Sequence, residues 1–258
     1  MINLKKAQES FKEYLKNYNI EDGNIKLKIK HTYEVVNKSN YISMGLDLNQ
    51  ENTELAQLIA LLHDIGRFEQ VKQTSDFLDS KDFDHASYGI KVLFEENLIR
   101  KFVEDSQYDN IIKKAIYNHN KYKIEENLND VELLHSKIIR DADKLDNCRV
   151  KLEDAIETML EVSKEEVGKT RISKEVMEQF ENRTAILSET RKTKMDYWMS
   201  YLAYFFDVNF KPTYEMINEN HYVDKLVKRI PYANSETKKK MERVREKLNL
   251  YIQEKCSE

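Results

Sequence analysis

A chain of 258 residues with only five glycines and two prolines has little with which to build tight hairpins or to interrupt long elements. Glycine supplies left-handed turn positions and proline a preset turn conformation, and sheets of short strands need both. Their scarcity predicts an all-α fold of long helices joined by short polar connections. The spacing of apolar residues agrees, with helical periodicity over about 4–18, 25–41, 53–65, 85–102, 108–119 and 131–148. Ser163 and Glu166 have the spacing of a capping box, and a last helix over about 235–254 places Met241, Val244, Leu248 and Tyr251 on one face. The stretch from Leu78 to Asp84 reads as a loop, a candidate for the rim of a site.

The later part of the chain offers less chemistry. Trp198, Tyr201, Leu202 and Phe205 form an aromatic stripe that reads as core rather than as a substrate platform, and Pro212 breaks its continuation. Lys238, Lys239 and Lys240 are diluted by Glu242, Glu246 and Glu254, so a solvated helix face is expected there and nucleic acid is not an expected partner. Charged residues make up 34% of the chain and the formal net charge is only -4, the balance of a compact enzyme. Cys148 and Cys256 stand far apart without a partner motif, which argues against a disulfide framework and against a thiolate metal site. The N-terminus lacks the apolar run of a signal peptide and no segment is long and apolar enough to span a bilayer. A cytoplasmic protein with no membrane partner is expected.

The chemistry concentrates before residue 150. His63 and Asp64 are adjacent within Leu61-Leu62-His63-Asp64-Ile65-Gly66-Arg67, and neighbouring imidazole and carboxylate groups can reach different metal ions, or one carboxylate can bridge two. Residues three or four apart share a helix face. Leu27, His31 and Val35 then form one stripe, and Leu55, Ile59, Leu62 and His63 another. Ala115, Ile116 and His119 form a third, and His135, Ile139 and Asp143 a fourth. Buried imidazoles and carboxylates without partners cost roughly several kcal/mol each, a penalty that a shared metal centre removes. His85 can be a ligand or an exposed first-turn histidine at the start of its helix, and the ligand reading is preferred. His135 and His221 have no motif around them and are read as ordinary core or surface residues.

His31, the His63-Asp64 pair, His85, His119 and the string Arg140-Asp141-Ala142-Asp143-Lys144-Leu145-Asp146 together resemble the HD-domain superfamily of metal-dependent phosphohydrolases, in the form with two extra histidines. The resemblance covers roughly residues 25 to 150. It implies a multi-helix catalytic core there, with about 151–258 as a helical C-terminal extension of one domain spanning 1–258. By resemblance, His31, His63, Asp64 and Asp143 hold one ion, and Asp64, His85 and His119 hold a second, with Asp64 as the bridge. Asp143 takes its role because it follows Ala142 as the family pattern expects; Asp141 and Asp146 are read as supporting or solvated carboxylates. The donor set suits a divalent transition metal, two ions per chain, drawn from Fe, Mn, Ni, Co or Zn.

The activity so implied is hydrolysis of a phosphoester in a small nucleotide or phosphorylated metabolite by a metal-bridging hydroxide. Arg67 and Lys144, each a turn or less from a ligand, are the expected phosphate contacts, against the alternative of a surface cation or a salt bridge to a nearby Asp. Three rivals share the ligands: a mixed-valent diiron oxygenase, a regulator that binds a nucleotide without turnover, and a one-metal nucleotidase. The Gly-Tyr-Pro string of the cyclic-dinucleotide hydrolases is absent. A homo-oligomer is permitted by the amphipathic last helix but not required.

Overall fold

The computed structural model describes residues 2–74 and 83–258, and among these the regular structure is helical. Contacts divide the chain into two compact units, Met1–Asp146 and Asn147–Glu258. The loop expected over 78–84 lies outside the described residues except for Phe83 and Asp84.

The first unit contains α1 (Leu4–Leu15), α2 (Gly23–Gly45), α3 (Gln50–Leu62), α4 (Ile65–Thr74), α5 (His85–Ile90), α6 (Asp109–Asn118) and the first two-thirds of α7 (Asp130–Glu153). Local chemistry sets where several of them begin. The side chains of Asn3, Asp22, Asn49 and Asp84 accept hydrogen bonds from free amides of the first turns of α1, α2, α3 and α5, each such cap contributing about 1 kcal/mol. The faces they start are apolar: Phe11 from α1, Val35 and Ile42 from α2, Leu58 and Ile59 from α3, and Phe68 from α4 are fully enclosed. At roughly 1.5–3 kcal/mol for each large side chain removed from water, this burial is the main force holding the helices together.

Two departures from the sequence periodicity shape the site. The helix expected over 53–65 ends at Leu62; His63 and Asp64 form a turn, closed by the Arg67 amide donating to the Asp64 carbonyl at 2.9 Å, and α4 starts at Ile65. In an unbroken helix adjacent side chains diverge by about 100°; the break lets both enter one interior. The helix expected over 85–102 shortens to α5, followed by a π turn at Lys91–Glu95 and a 3-10 turn at Leu98–Lys101. Asn97 between them has φ 57°, a left-handed conformation that interrupts a helix and that Asn tolerates better than most residues.

Helices α4 and α5 cross at glycine. A Cβ on Gly66 would meet the His85 carbonyl oxygen at 2.3 Å and the Gly89 nitrogen at 2.8 Å, so the two backbones touch where a side chain would hold them apart.

The second unit comprises α8 (Ile156–Leu160), α9 (Lys164–Lys169), α10 (Lys174–Glu181), α11 (Lys194–Ala203), α12 (Lys211–Glu219), α13 (Tyr222–Lys228) and α14 (Ser235–Ser257) with the end of α7. The Ser163–Glu166 capping box forms with both of its hydrogen bonds, and Thr193 with Asp196 makes another. Trp198 is fully buried and donates its indole N–H to the Leu226 carbonyl at 3.3 Å, as a core residue. Pro212 occupies the first turn of α12, where its missing N–H is no loss.

Candidate metal centre

Four histidines and two carboxylates expected from the sequence converge in the first unit. His31 comes from α2, His63 and Asp64 from the turn after α3, His85 from the start of α5, His119 from the end of α6 and Asp143 from α7. Asp64 sits between two groups, His31 with His63 on one side and His85 with His119 on the other, and within each group the ligand atoms lie within 4.8 Å of one another. The two carboxylate oxygens divide the histidines. Oδ2 is 3.5 Å from Nε2 of His31 and 3.5 Å from Nε2 of His63, while Oδ1 is 3.4 Å from Nε2 of His85 and 3.7 Å from Nε2 of His119. Asp143 joins the first side, its Oδ1 3.1 Å from His31 Nε2 and 3.9 Å from His63 Nε2. His85 is buried, which excludes the exposed first-turn alternative.

The hydrogen bonds on the far side of three rings define which nitrogen faces inward. His63 Nδ1 lies 2.7 Å from the Ala60 carbonyl and His119 Nδ1 2.6 Å from the Ile116 carbonyl. A carbonyl only accepts, so each Nδ1 carries the proton and each neutral ring turns the lone pair of Nε2 into the cluster. His31 Nδ1 is held in the same way by Asp146 at 2.6 Å. Nε2 of His31 and Nε2 of His63 are buried without a hydrogen-bond partner, opposite carboxylate oxygens that are themselves acceptors. The Nε2 atoms of His85 and His119 lie 3.0 Å apart. Electron pairs gathered this closely among buried side chains call for a cation, and nitrogen and carboxylate donors of this kind fit a divalent transition metal.

Other residues fix the ligands in place. Asp84 accepts from Asn120 Nδ2 at 2.8 Å and pairs with Lys121, and Asn120 lies 3.4 Å from His85 Nδ1. Buried Arg140 donates from one nitrogen to the carbonyls of Asn118 and Lys121, both at 2.6 Å, clamping the turn that carries His119. Asp141 and Asp146 are fully buried, and Asp146 supports His31 as an outer carboxylate.

Two cations flank Asp64. Arg67 was expected; its Nε is 3.8 Å from Asp64 Oδ1 and its Nη1 donates to the buried Gln70 at 2.6 Å. Lys28 was not expected, and its Nζ lies 2.5 Å from Asp64 Oδ2. The available signal was spacing: Lys28 precedes His31 by three residues and so shares its face of α2. Lys144 is half-buried and its Nζ is 3.5 Å from the Arg140 carbonyl of its own helix. His135 is a core histidine, 3.1 Å from Asn52 Oδ1, and His221 lies exposed before α13.

Electrostatics follow the same arrangement. Burial pushes the Asp64 carboxyl up, but Lys28 and then His63 and His119 outweigh it and hold the group well below the usual carboxylate range. Desolvation is likewise overcome at Asp143, chiefly by His31. His31 itself is pushed down by burial and by Lys28, yet Asp143 and Asp146 leave it raised.

Residues 29–148 match the family model of the HD domain. This segment is an HD domain. HD domains form a family of metal-dependent, hydrolase-like proteins, and the converging donors of this one suit a divalent metal. No curated protein and no solved structure matches the chain. Among the described residues no helix is long and apolar enough to cross a membrane.

Proposed function

We propose that the HD domain hydrolyses the phosphoester bond of a small substrate, a nucleotide or phosphorylated metabolite, at a centre of two divalent ions. His31, His63, Asp64 and Asp143 would hold one ion and Asp64, His85 and His119 the other. The observation that carries the reading is the division of Asp64, one oxygen toward each pair of histidines. When bound, such ions supply a nucleophilic water at neutral pH and Lewis acidity toward a phosphoryl oxygen.

The chain's own groups have complementary work. The Nδ1 hydrogen bonds to the Ala60 and Ile116 carbonyls and to Asp146 hold three rings in the tautomer and orientation that donation requires. Arg67, braced by Gln70, presents a guanidinium beside Asp64 where it can bind a phosphoryl oxygen without reorganising during reaction.

The test is metal-replete protein, loaded in turn with Mn, Co, Ni, Zn or Fe, assayed against nucleotides and simple phosphomonoesters. Turnover with at least one metal is expected, and Asp64→Ala should lose both metal and turnover. Full metal occupancy without phosphate release from any substrate overturns the proposal. If the iron form instead takes up oxygen on adding substrate, the centre is an oxygenase.

A further inference from the structure

The structure places a lysine where neither the sequence pattern nor the ligand set asks for one. Lys28 Nζ is 2.5 Å from Asp64 Oδ2, the same oxygen that faces His31 and His63. Only 14% of the lysine side chain is exposed, so its charge is directed into the centre rather than into solvent. Its neighbour in charge, Arg67, serves the other oxygen and is pinned by Gln70. The two cations therefore differ in kind. A planar guanidinium held by a buried amide keeps one position, whereas an ammonium on a four-carbon stem can change partners by rotating its side chain.

We propose that Lys28 is an exchangeable counter-ion: it neutralises Asp64 in the metal-free protein and, once ions occupy the centre, turns to bind the substrate's phosphoryl oxygen. The inference rests on the phosphohydrolase reading and adds to it a residue that selects for phosphate. The argument is one of occupancy and charge. An ion held by His31, His63 and Asp64 would bring a like charge beside the ammonium and repel it. Released from the carboxylate, the ammonium still lies at the edge of the cluster, one helical turn from His31, where the outer oxygens of a phosphoryl group would need positive charge. A phosphoryl group offers it several acceptor oxygens in place of the one it gave up.

Lys28→Met keeps the stem and removes the charge, and Lys28→Arg restores a charge of different shape. Three measurements on the full chain test the idea: Mn2+ titration of metal-free protein by calorimetry, binding of inorganic phosphate to Mn-loaded protein, and melting with and without Mn2+. Lys28→Met should bind Mn2+ about tenfold more tightly than wild type, because the ion no longer displaces an ammonium. Its phosphate affinity should fall about tenfold, with partial recovery in Lys28→Arg. It should melt below wild type without metal and level with wild type when Mn2+ is present, so that the comparison survives even if the metal-free variant folds poorly. Phosphate affinity of Lys28→Met within twofold of wild type overturns the inference; if wild type then still hydrolyses phosphoesters, the phosphohydrolase reading stands without it. A wild-type protein that holds Mn2+, binds no phosphate and releases none from any phosphoester overturns both.

Discussion

Replacing Gly66 with alanine adds a single methyl group, yet the structure gives it nowhere to go. The new Cβ would lie 2.3 Å from the His85 carbonyl oxygen, 2.8 Å from the Gly89 nitrogen and 3.2 Å from the Gly89 Cα. All three atoms are backbone, so no rotamer change relieves the overlap, and restoring an ordinary contact of about 3.5 Å moves α5 away from α4 by roughly 1 Å. His85 is the first residue of α5, and its Nε2 is now 3.4 Å from Asp64 Oδ1. Metal ligands tolerate displacements of only about 0.2 Å, so the shift should empty the side of the centre that His85 and His119 build.

Alanine also favours the helix over glycine by up to about 1 kcal/mol, while overpacking costs about 1–3 kcal/mol; the net expectation is a loss of about 1 kcal/mol. Urea unfolding of metal-free protein reads the stability, and metal per chain by mass spectrometry reads the centre. Gly66→Ala is expected to be less stable and to hold less metal per chain than wild type, whereas Gly89→Ala, with nearest contacts at 3.3 Å to the Gly66 nitrogen and the Ile65 side chain, should do less. A Gly66→Ala protein that gains stability and keeps its full metal content would refute the argument from backbone contact.

Arg140→Met leaves the carbonyls of Asn118 and Lys121 without their donor and should cost about 3 kcal/mol in urea unfolding, with weakened metal retention because the His119 turn loosens. Asp146→Ala removes the acceptor that orients His31 and should weaken metal binding by about 10–100-fold in calorimetric titration, leaving helical content unchanged. Burial lowers the His135 pKa to about 4, from 6.5. The unfolded chain therefore binds the proton more readily; the neutral residue's contribution is complete above pH 6.5 and is lost as pH falls toward 4, by roughly 3 kcal/mol. Subtracting the unfolding profile of His135→Gln from that of wild type should isolate this slope, and parallel profiles would show that the histidine does not remain neutral.

Much of the centre can be read from residue types because its chemistry is local to each motif. His63 and Asp64 are adjacent in the chain, and the turn that presents them is a two-residue interruption between apolar stripes ending at Leu62 and resuming at Ile65. The stripes that carry His31, His119 and Asp143 place those groups on buried faces by periodicity alone. Lys28 and Arg140 were less legible, since a single lysine or arginine at a helical position normally marks a solvated face, and only packing from other helices makes these two internal. Shortening of the helix after His85 was illegible for a related reason: its apolar spacing continues, and the left-handed Asn97 that interrupts it is set by the surrounding chain.

Composition and periodicity determined that this protein would be built of helices and that imidazoles and carboxylates would point inward from several of them, because both properties depend on residues three or four apart. Which oxygen of Asp64 faces which histidines, that Gly66 lets α4 and α5 touch, and that Lys28 reaches the shared carboxylate were decided by the tertiary structure. These are relations between segments separated by tens of residues, and distance across a packed interior has no counterpart in the spacing of a linear chain.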